Sequence, residues 1–355
     1  MLAALGAALL AAAAAGRDEL TAIVQLDPLH TPGTPPGPAQ LAVASLFAGN
    51  GTVASVEQPF GKPADWAGGG MSGACNAGFD AAQEVWHKTT ADGHILTVSA
   101  RTGDTLWSAA MSGGPQRSTG GETFLAGPDS RGLFYSAEPL ARTSYSVLSY
   151  NVSSGAVALV SQQPKGEMDG IGVCVGFVDS VTDSLFYIVA EGLVKMDLKT
   201  ANVTQALAAF VAPVRLDPSR PGTVLGVTTQ DGGPDQAQVT ALSRFDLGAA
   251  DAAPTVLYTF NETYYHKLCH CSLPLRPQDQ ADMDVTADGK TVYVVMSYND
   301  KPTHHESLIT RGLFVLDVSE DGPSATLRSH DVAWKQGAGV AEPHIASMGV
   351  FQDGR

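Results

Sequence analysis

The chain has 355 residues, 36 of them acidic and 21 basic, for a formal net charge of −15. Only 16% of residues are charged, against roughly 25% in an average soluble domain, while 44% are hydrophobic; a largely disordered chain is therefore excluded, and a basic surface for nucleic-acid phosphates is not expected. The 38 glycines and 21 prolines interrupt the chain too often for a long-helix protein.

Residues 1–16, MLAALGAALLAAAAAG, are an apolar run with no charged side chain, followed by Arg17, Asp18 and Glu19. A membrane-spanning helix needs about 20 apolar residues, so the run fits a cleaved signal peptide better, although the basic n-region is missing. The expectation is a protein exported to the extracellular space or the secretory lumen, without stable membrane insertion, with residues 17–355 forming one domain. Sequons at Asn50, Asn151, Asn202 and Asn261 agree with N-glycosylation, each in an expected turn or strand end where a glycan faces solvent. Cys75, Cys174, Cys269 and Cys271 are disulfide candidates, an even set that allows two bonds in any of three pairings; Cys174, inside GIGVCVGFV, has a buried free thiol as its alternative.

Along the chain, the stretch near 28–40 contains HTPGTPPGP, which cannot be a central strand and reads as a loop. A second irregular loop, rich in glycine, is expected near 58–80, and Ala81 to Trp86 reads as one short helix or a turn. From about Asp92 the pattern becomes regular: a short apolar or β-branched run, a polar turn, and a second such run. The clearest hairpins are His94 to Ser99 with Asp104 to Ser108, Tyr145 to Tyr150 with Ala156 to Ser161, Leu193 to Met196 with Val203 to Leu207, Val239 to Phe245 with Thr255 to Phe260, and Leu313 to Leu316 with Ser324 to Arg328. Additional strands precede them at Gly132 to Ser136, Ser184 to Ala190, Thr223 to Thr228 and Lys290 to Met296. A third irregular stretch is expected near 264–280.

The residues that open the hairpin turns, Ala48, Ser99, Asn151, Asp197, Asp246 and Asp317, are separated by 51, 52, 46, 49 and 71 positions. Intervals near 50 match a four-stranded propeller blade, and a side-chain oxygen there can accept backbone N–H groups two residues on, in an Asx-type turn. No helical stretch separates the strands, so parallel βαβ units are not expected. The fold class is thus all-β, a β-propeller of six or seven four-stranded blades, with either Leu20 to Leu26 or Pro343 to Val350 supplying the strand that closes the ring. The units SLFYIVAEGLVKMDLKT and KTVYVVM…RGLFVLDVSEDG resemble blades of the WD40-like and YVTN-like propeller superfamilies. That resemblance implies architecture and leaves activity open.

Chemistry is sparsely written. His266 and His270, close to Cys269 and Cys271, and His304 and His305, beside Glu306, are the candidate metal ligands; in an oxidising compartment the two cysteines read first as disulfide partners. Asp282, Asp284 and Asp288 offer oxygen ligands without EF-hand spacing, so the cofactor expectation is none, with calcium or a transition metal as the alternative. No phosphate-cradling glycine loop occurs, and Gly69 to Gly73 lacks the strand and helix of a nucleophile elbow. The expected function is a secreted, N-glycosylated module binding a protein, a small molecule or a carbohydrate. The alternative is an extracellular hydrolase or lyase, metal-dependent or not, with its site in the funnel.

Overall fold

The computed structural model describes residues 19–27, 40–47, 53–56, 77–90, 93–113, 124–141, 144–164, 176–189, 192–208, 211, 213–230, 239–248, 253–260, 282–299, 309–319, 323–334 and 342–351. Every named element among them is a strand. After β1 (Glu19–Asp27), β2 (Gln40–Phe47) and β3 (Val53–Val56), one sheet contains β4 (Ala77–Asp80), β5 (Val85–Thr89), β6 (His94–Ser99) and β7 (Thr105–Ala110). The next contains β8 (Phe134–Ala141), β9 (Ser144–Asn151) and β10 (Ala156–Pro164). Two sheets follow: β11 (Gly176–Asp179), β12 (Ser184–Val189), β13 (Gly192–Asp197) and β14 (Val203–Leu207); then β15 (Val214–Leu216), β16 (Thr223–Gln230), β17 (Val239–Asp246) and β18 (Thr255–Phe260). The last run is β19 (Asp282–Val285), β20 (Thr291–Asn299), β21 (Ile309–Val318) and β22 (Ala325–Trp334), and β23 (Glu342–Val350) pairs with β1 in the order β23-β1-β2-β3. All these pairings are antiparallel. The five hairpins expected from the sequence are present, whereas residues 81–84 form a turn rather than a helix.

Strand periodicity explains how the sheets stack. On β12, Leu185 and Tyr187 pack with Tyr135, Tyr145 and Val147 of the preceding sheet, while Phe186 and Ile188 pack with Val211, Val214 and Val224 of the following one. Successive side chains leave a strand on opposite faces, so a sheet covered on both sides needs a nearly continuous apolar run, which SLFYIV supplies. Each other cluster also draws on two consecutive sheets: Trp86 and Val98 with Val43, Ile95 with Phe134 and Leu148, Leu225 and Leu242 with Val292 and Phe314. The sheets are therefore radial blades, each covering its neighbour's apolar face, and the molecule is a β-propeller. β1 and β23 lie side by side over eight paired positions, so both stretches expected as alternative closing strands share one blade.

The expectation of six or seven four-stranded blades is corrected. Five sheets have four strands, but β8, β9 and β10 form a three-stranded one. Where an inner fourth strand would run, Ala126 makes only an isolated antiparallel bridge to Tyr135. Gly127 and Pro128 follow immediately, and a proline has no N–H to extend the ladder.

Candidate functional site

The innermost segment of every blade lines one central cavity of about 500 Å³: β4, residues 124–128, β11, β15, β19 and β23. Two devices organise the carboxylates on this wall and next to its lining residues in sequence. One is a turn. Where the inner strand hands over to the second strand, Asp80, Asp129, Asp179 and Asp217 each accept backbone N–H bonds from residues two to four positions on. A carboxylate that satisfies the amides of a tight turn fixes the exit of the inner strand. The second set of turns, leading to the outer strands, uses Ser99, Asn151, Asp197 and Asp246 in the same way, as the sequence spacing indicated.

The other device is a carboxylate pair. Asp282 and Asp284 sit two apart on β19 and so leave the same face of the strand. Asp282 accepts from Arg215 Nη2 of the preceding blade at 2.8 Å and from the Met348 N–H of β23 at 2.6 Å. Asp284 Oδ2 accepts the Val350 N–H at 2.7 Å, and Arg215 Nη1 donates to the Val214 carbonyl at 2.9 Å. Three blades are thereby joined at the channel wall through one guanidinium and two carboxylates. Burial pushes the Asp284 carboxyl up to about 6, against the opposing pull of Arg215. Burial likewise raises Asp282, beyond what Arg215 offsets.

His87 on β5 is a buried histidine behind this wall. Its Nδ1 lies 3.0 Å from Thr97 Oγ1 and its ring meets Phe134 edge-on at 4.8 Å. Burial lowers it to about 4, with Asp80 pulling weakly the other way. The two groups drive pH dependence in opposite directions. From about pH 6.5 down to 4 the unfolded chain protonates His87 before the folded one does, so acid removes stability, by about 3 kcal/mol at most. Between roughly pH 4 and 6 folded Asp284 holds a proton that the unfolded chain has released, so in that window stability is lost as pH rises. Urea midpoints for His87→Gln are expected to fall between pH 4 and 6, and those for Asp284→Asn to rise over the same interval. Parallel curves for the two variants would contradict this assignment.

The expected metal ligands His266, His270, His304 and His305 lie outside the described residues, as do Cys75, Cys174, Cys269, Cys271, Asn50, Asn261 and the run 1–16. Among the described residues no group of three or more His, Cys, Asp or Glu is placed to hold a metal. Asp288 does not join Asp282 and Asp284: it accepts from Thr286 Oγ1 and the Lys290 N–H in its own turn. Sequence reading missed the Arg215–Asp282–Asp284 cluster and the first set of turn carboxylates. The latter had left a signal, since Asp80, Asp129, Asp179 and Asp217 follow one another at 49, 50 and 38 positions, each just before a second strand.

No protein-family model matches the chain, and no curated protein matches it by sequence. Solved structures do match. One is described as the mitotic checkpoint complex, at 11% identity and a TM-score of 0.43, over 83% of this chain and 76% of that one. Another is the Cps50 (Swd1) β-propeller domain of Myceliophteria thermophila, at 12% identity and a TM-score of 0.41, over 74% of this chain and 86% of that one. At this identity the likeness concerns architecture alone.

The expectation of a secreted, N-glycosylated, disulfide-bonded module, located outside the cell or in the secretory lumen, is corrected. Of the two sequons that can be placed, Asn151 has a plainer reason in the fold. Asn151 Oδ1 accepts from Ser153 N, Ser153 Oγ and Ser154 N, the task that the Asp197 carboxylate performs in the next blade. Asn202 closes that next turn, its carbonyl accepting the Asp197 N–H at 3.0 Å. The residue type of Asn151 follows from turn chemistry, whereas Asn202 contributes a backbone carbonyl that any residue would supply. The four cysteines lie outside the described residues, and no disulfide is described. No helix among the described residues is long and apolar enough to cross a membrane.

Proposed function

We propose that the protein is a protein-interaction module: a ring of blades that holds partner-binding surfaces in fixed relative positions. The observation that carries this reading is that the charged side chains among the described residues lining the central cavity are satisfied within the protein. Catalytic and small-ligand sites present convergent polar groups toward the space the ligand fills. Here Asp80 serves its own turn, and Arg215, Asp282 and Asp284 serve one another and the β23 backbone. Large apolar side chains lie instead on outer strands, with Leu106 and Trp107 on β7 and Leu159 on β10 exposed. Propellers of many functions share this architecture, so the reading rests on these groups rather than on the fold.

The test is cross-linking of the full chain in cell extract, followed by mass spectrometry and sizing of the purified assembly. A protein partner in stoichiometric amount, linked to the outer strands or a face of the ring, is the expected result. A chain that stays monomeric and unlinked, with a small molecule retained in the cavity, would overturn it.

A further inference from the structure

β7 exposes more of itself than the outer strands β14 and β18 do. It is the outermost strand of its sheet, and four consecutive residues, Thr105 to Ser108, are exposed. Leu106 is 59% and Trp107 39% accessible. The register explains how two adjacent large side chains both stay at the surface. Trp107 pairs with Thr97 and Thr105 with Val98, leaving Leu106 as the extra residue of a bulge. An open edge offers a row of unpaired backbone donors and acceptors, and proteins usually guard it with charge or proline. TLWSAA carries neither charge nor proline, as is also true of the outer strands β14 (VTQAL) and β18 (TVLYTF), but β7 alone of the three exposes four consecutive residues.

Past Ala110 the chain already shows edge pairing in miniature. Ser112 bridges Ala156 of β10 in parallel, with its N–H donating to the Gly155 carbonyl at 3.0 Å and its carbonyl accepting the Val157 N–H at 2.9 Å. Leu159, 51% accessible, lies further along β10. Thr105 to Ala109 has no such partner strand on its outer side among the described residues.

We infer that the outer edge of β7 is a docking strand, to which an extended apolar segment of a partner protein, flanked by lysine or arginine, adds as a fifth strand of the blade. This deepens the protein-interaction reading and rests on it. Backbone pairing supplies the extended conformation, and Leu106 and Trp107 supply the apolar anchors, tryptophan being prominent among residues that carry interface energy. Charge selects the occupant. The chain carries a net −15, so a second copy meets like charge while a basic segment meets opposite charge. At the head of the strand the cation Arg101 is paired with Glu84 through Nε and Nη2, and Asp104 opens β7.

The probe is a labelled nine-residue peptide, an alternating valine–threonine core with two lysines at each end, titrated with the full chain by fluorescence anisotropy. Two companions replace the lysines with glutamates or the central valine with proline. Saturable binding of the lysine peptide is expected, at least tenfold weaker for the glutamate and proline peptides and for the Leu106→Ala/Trp107→Ala chain, with added amide-exchange protection confined to residues 105–110. Both side chains are exposed, so the double variant is expected to fold. Equal binding by that variant, protection on another strand, or no saturation at millimolar peptide would overturn the inference. A wild-type dimer dissolved by the double substitution would also overturn it, making a second copy the occupant. If cross-linked partners persist with the double variant, the edge assignment fails while the wider interaction reading stands.

Discussion

Asp217→Ala is expected to lower the unfolding free energy by about 3–5 kcal/mol, a large share of the roughly 5–15 kcal/mol that holds a typical domain. Asp217 is buried and receives Arg244 Nε at 2.7 Å, while the same carboxylate accepts the Ser219 N–H at 3.0 Å and the Ser219 hydroxyl. Arg244 is buried as well, and its two Nη groups find no acceptor among the described residues. Removing the carboxylate therefore strands a guanidinium in an apolar seam and unties the turn into β16. The two losses separate in a double-mutant cycle. Arg244→Met in the Asp217→Ala background is expected to recover more than about 1 kcal/mol, since the stranded charge leaves with it. Additive losses in urea denaturation would mean that the charge is hydrated rather than stranded.

Trp86→Ala is expected to cost about 3–5 kcal/mol, the usual range for deleting a fully buried aromatic. The ring packs 5.0 Å from Phe79, and its Nε1–H donates to Thr21 Oγ1 at 3.0 Å; that hydroxyl in turn donates to the Ala100 carbonyl at 3.0 Å. Thr21 belongs to β1 and Trp86 to β5, so one indole joins the closing blade to its neighbour. Trp86→Phe keeps most of the volume and loses the hydrogen bond, for an expected cost near 1 kcal/mol. Far-UV circular dichroism in urea checks both values, and limited proteolysis of the alanine variant should cut first near β1 and β2. Similar midpoints for the phenylalanine and alanine variants would show that the hydrogen bond, and not the packing, carries the effect.

From β6 onward the second, third and outer strands were legible because they have the alternation or the continuous apolar run that a covered blade demands; SLFYIV and TVYVVM are read from residue type alone, whereas β2, β3 and β5 were not read as strands. The hairpin turns were legible for a related reason, since a side-chain acceptor at the turn is a local requirement repeated once per blade. Inner strands mostly were not, the exception being β19, since the run from Asp284 to Val295 reads as strand, Asp-Gly turn, strand. AGFD, GFVD, VRL and DMDV are three or four residues long, contain glycine or charge, and face a cavity on one edge, so they carry little of the strand signature. Gly78 shows the constraint that does act on them: a Cβ there would meet the Leu125 carbonyl at 2.7 Å, so close approach of two blades selects glycine over a β-former. The Asp282–Asp284 pair looked like raw material for calcium because its true partners, the Met348 and Val350 amides, lie 66 residues away and meet it only when the ring shuts. Histidine and cysteine spacing pointed to segments outside the described residues.

The meeting of β1 with β23 sets a timetable for biosynthesis. β1 is made before every other described strand, yet the neighbour it needs follows more than 300 residues later. At roughly 5–20 residues per second, the first strand waits between about 15 s and a minute with one side unclaimed. During that interval the nascent chain is an open arc whose two ends are sticky in the same way, and any other extended segment nearby competes for the place reserved for its own tail. Slow translation or crowding of ribosomes on one message should therefore raise the yield of swapped or aggregated chains well before it harms the blades in the middle.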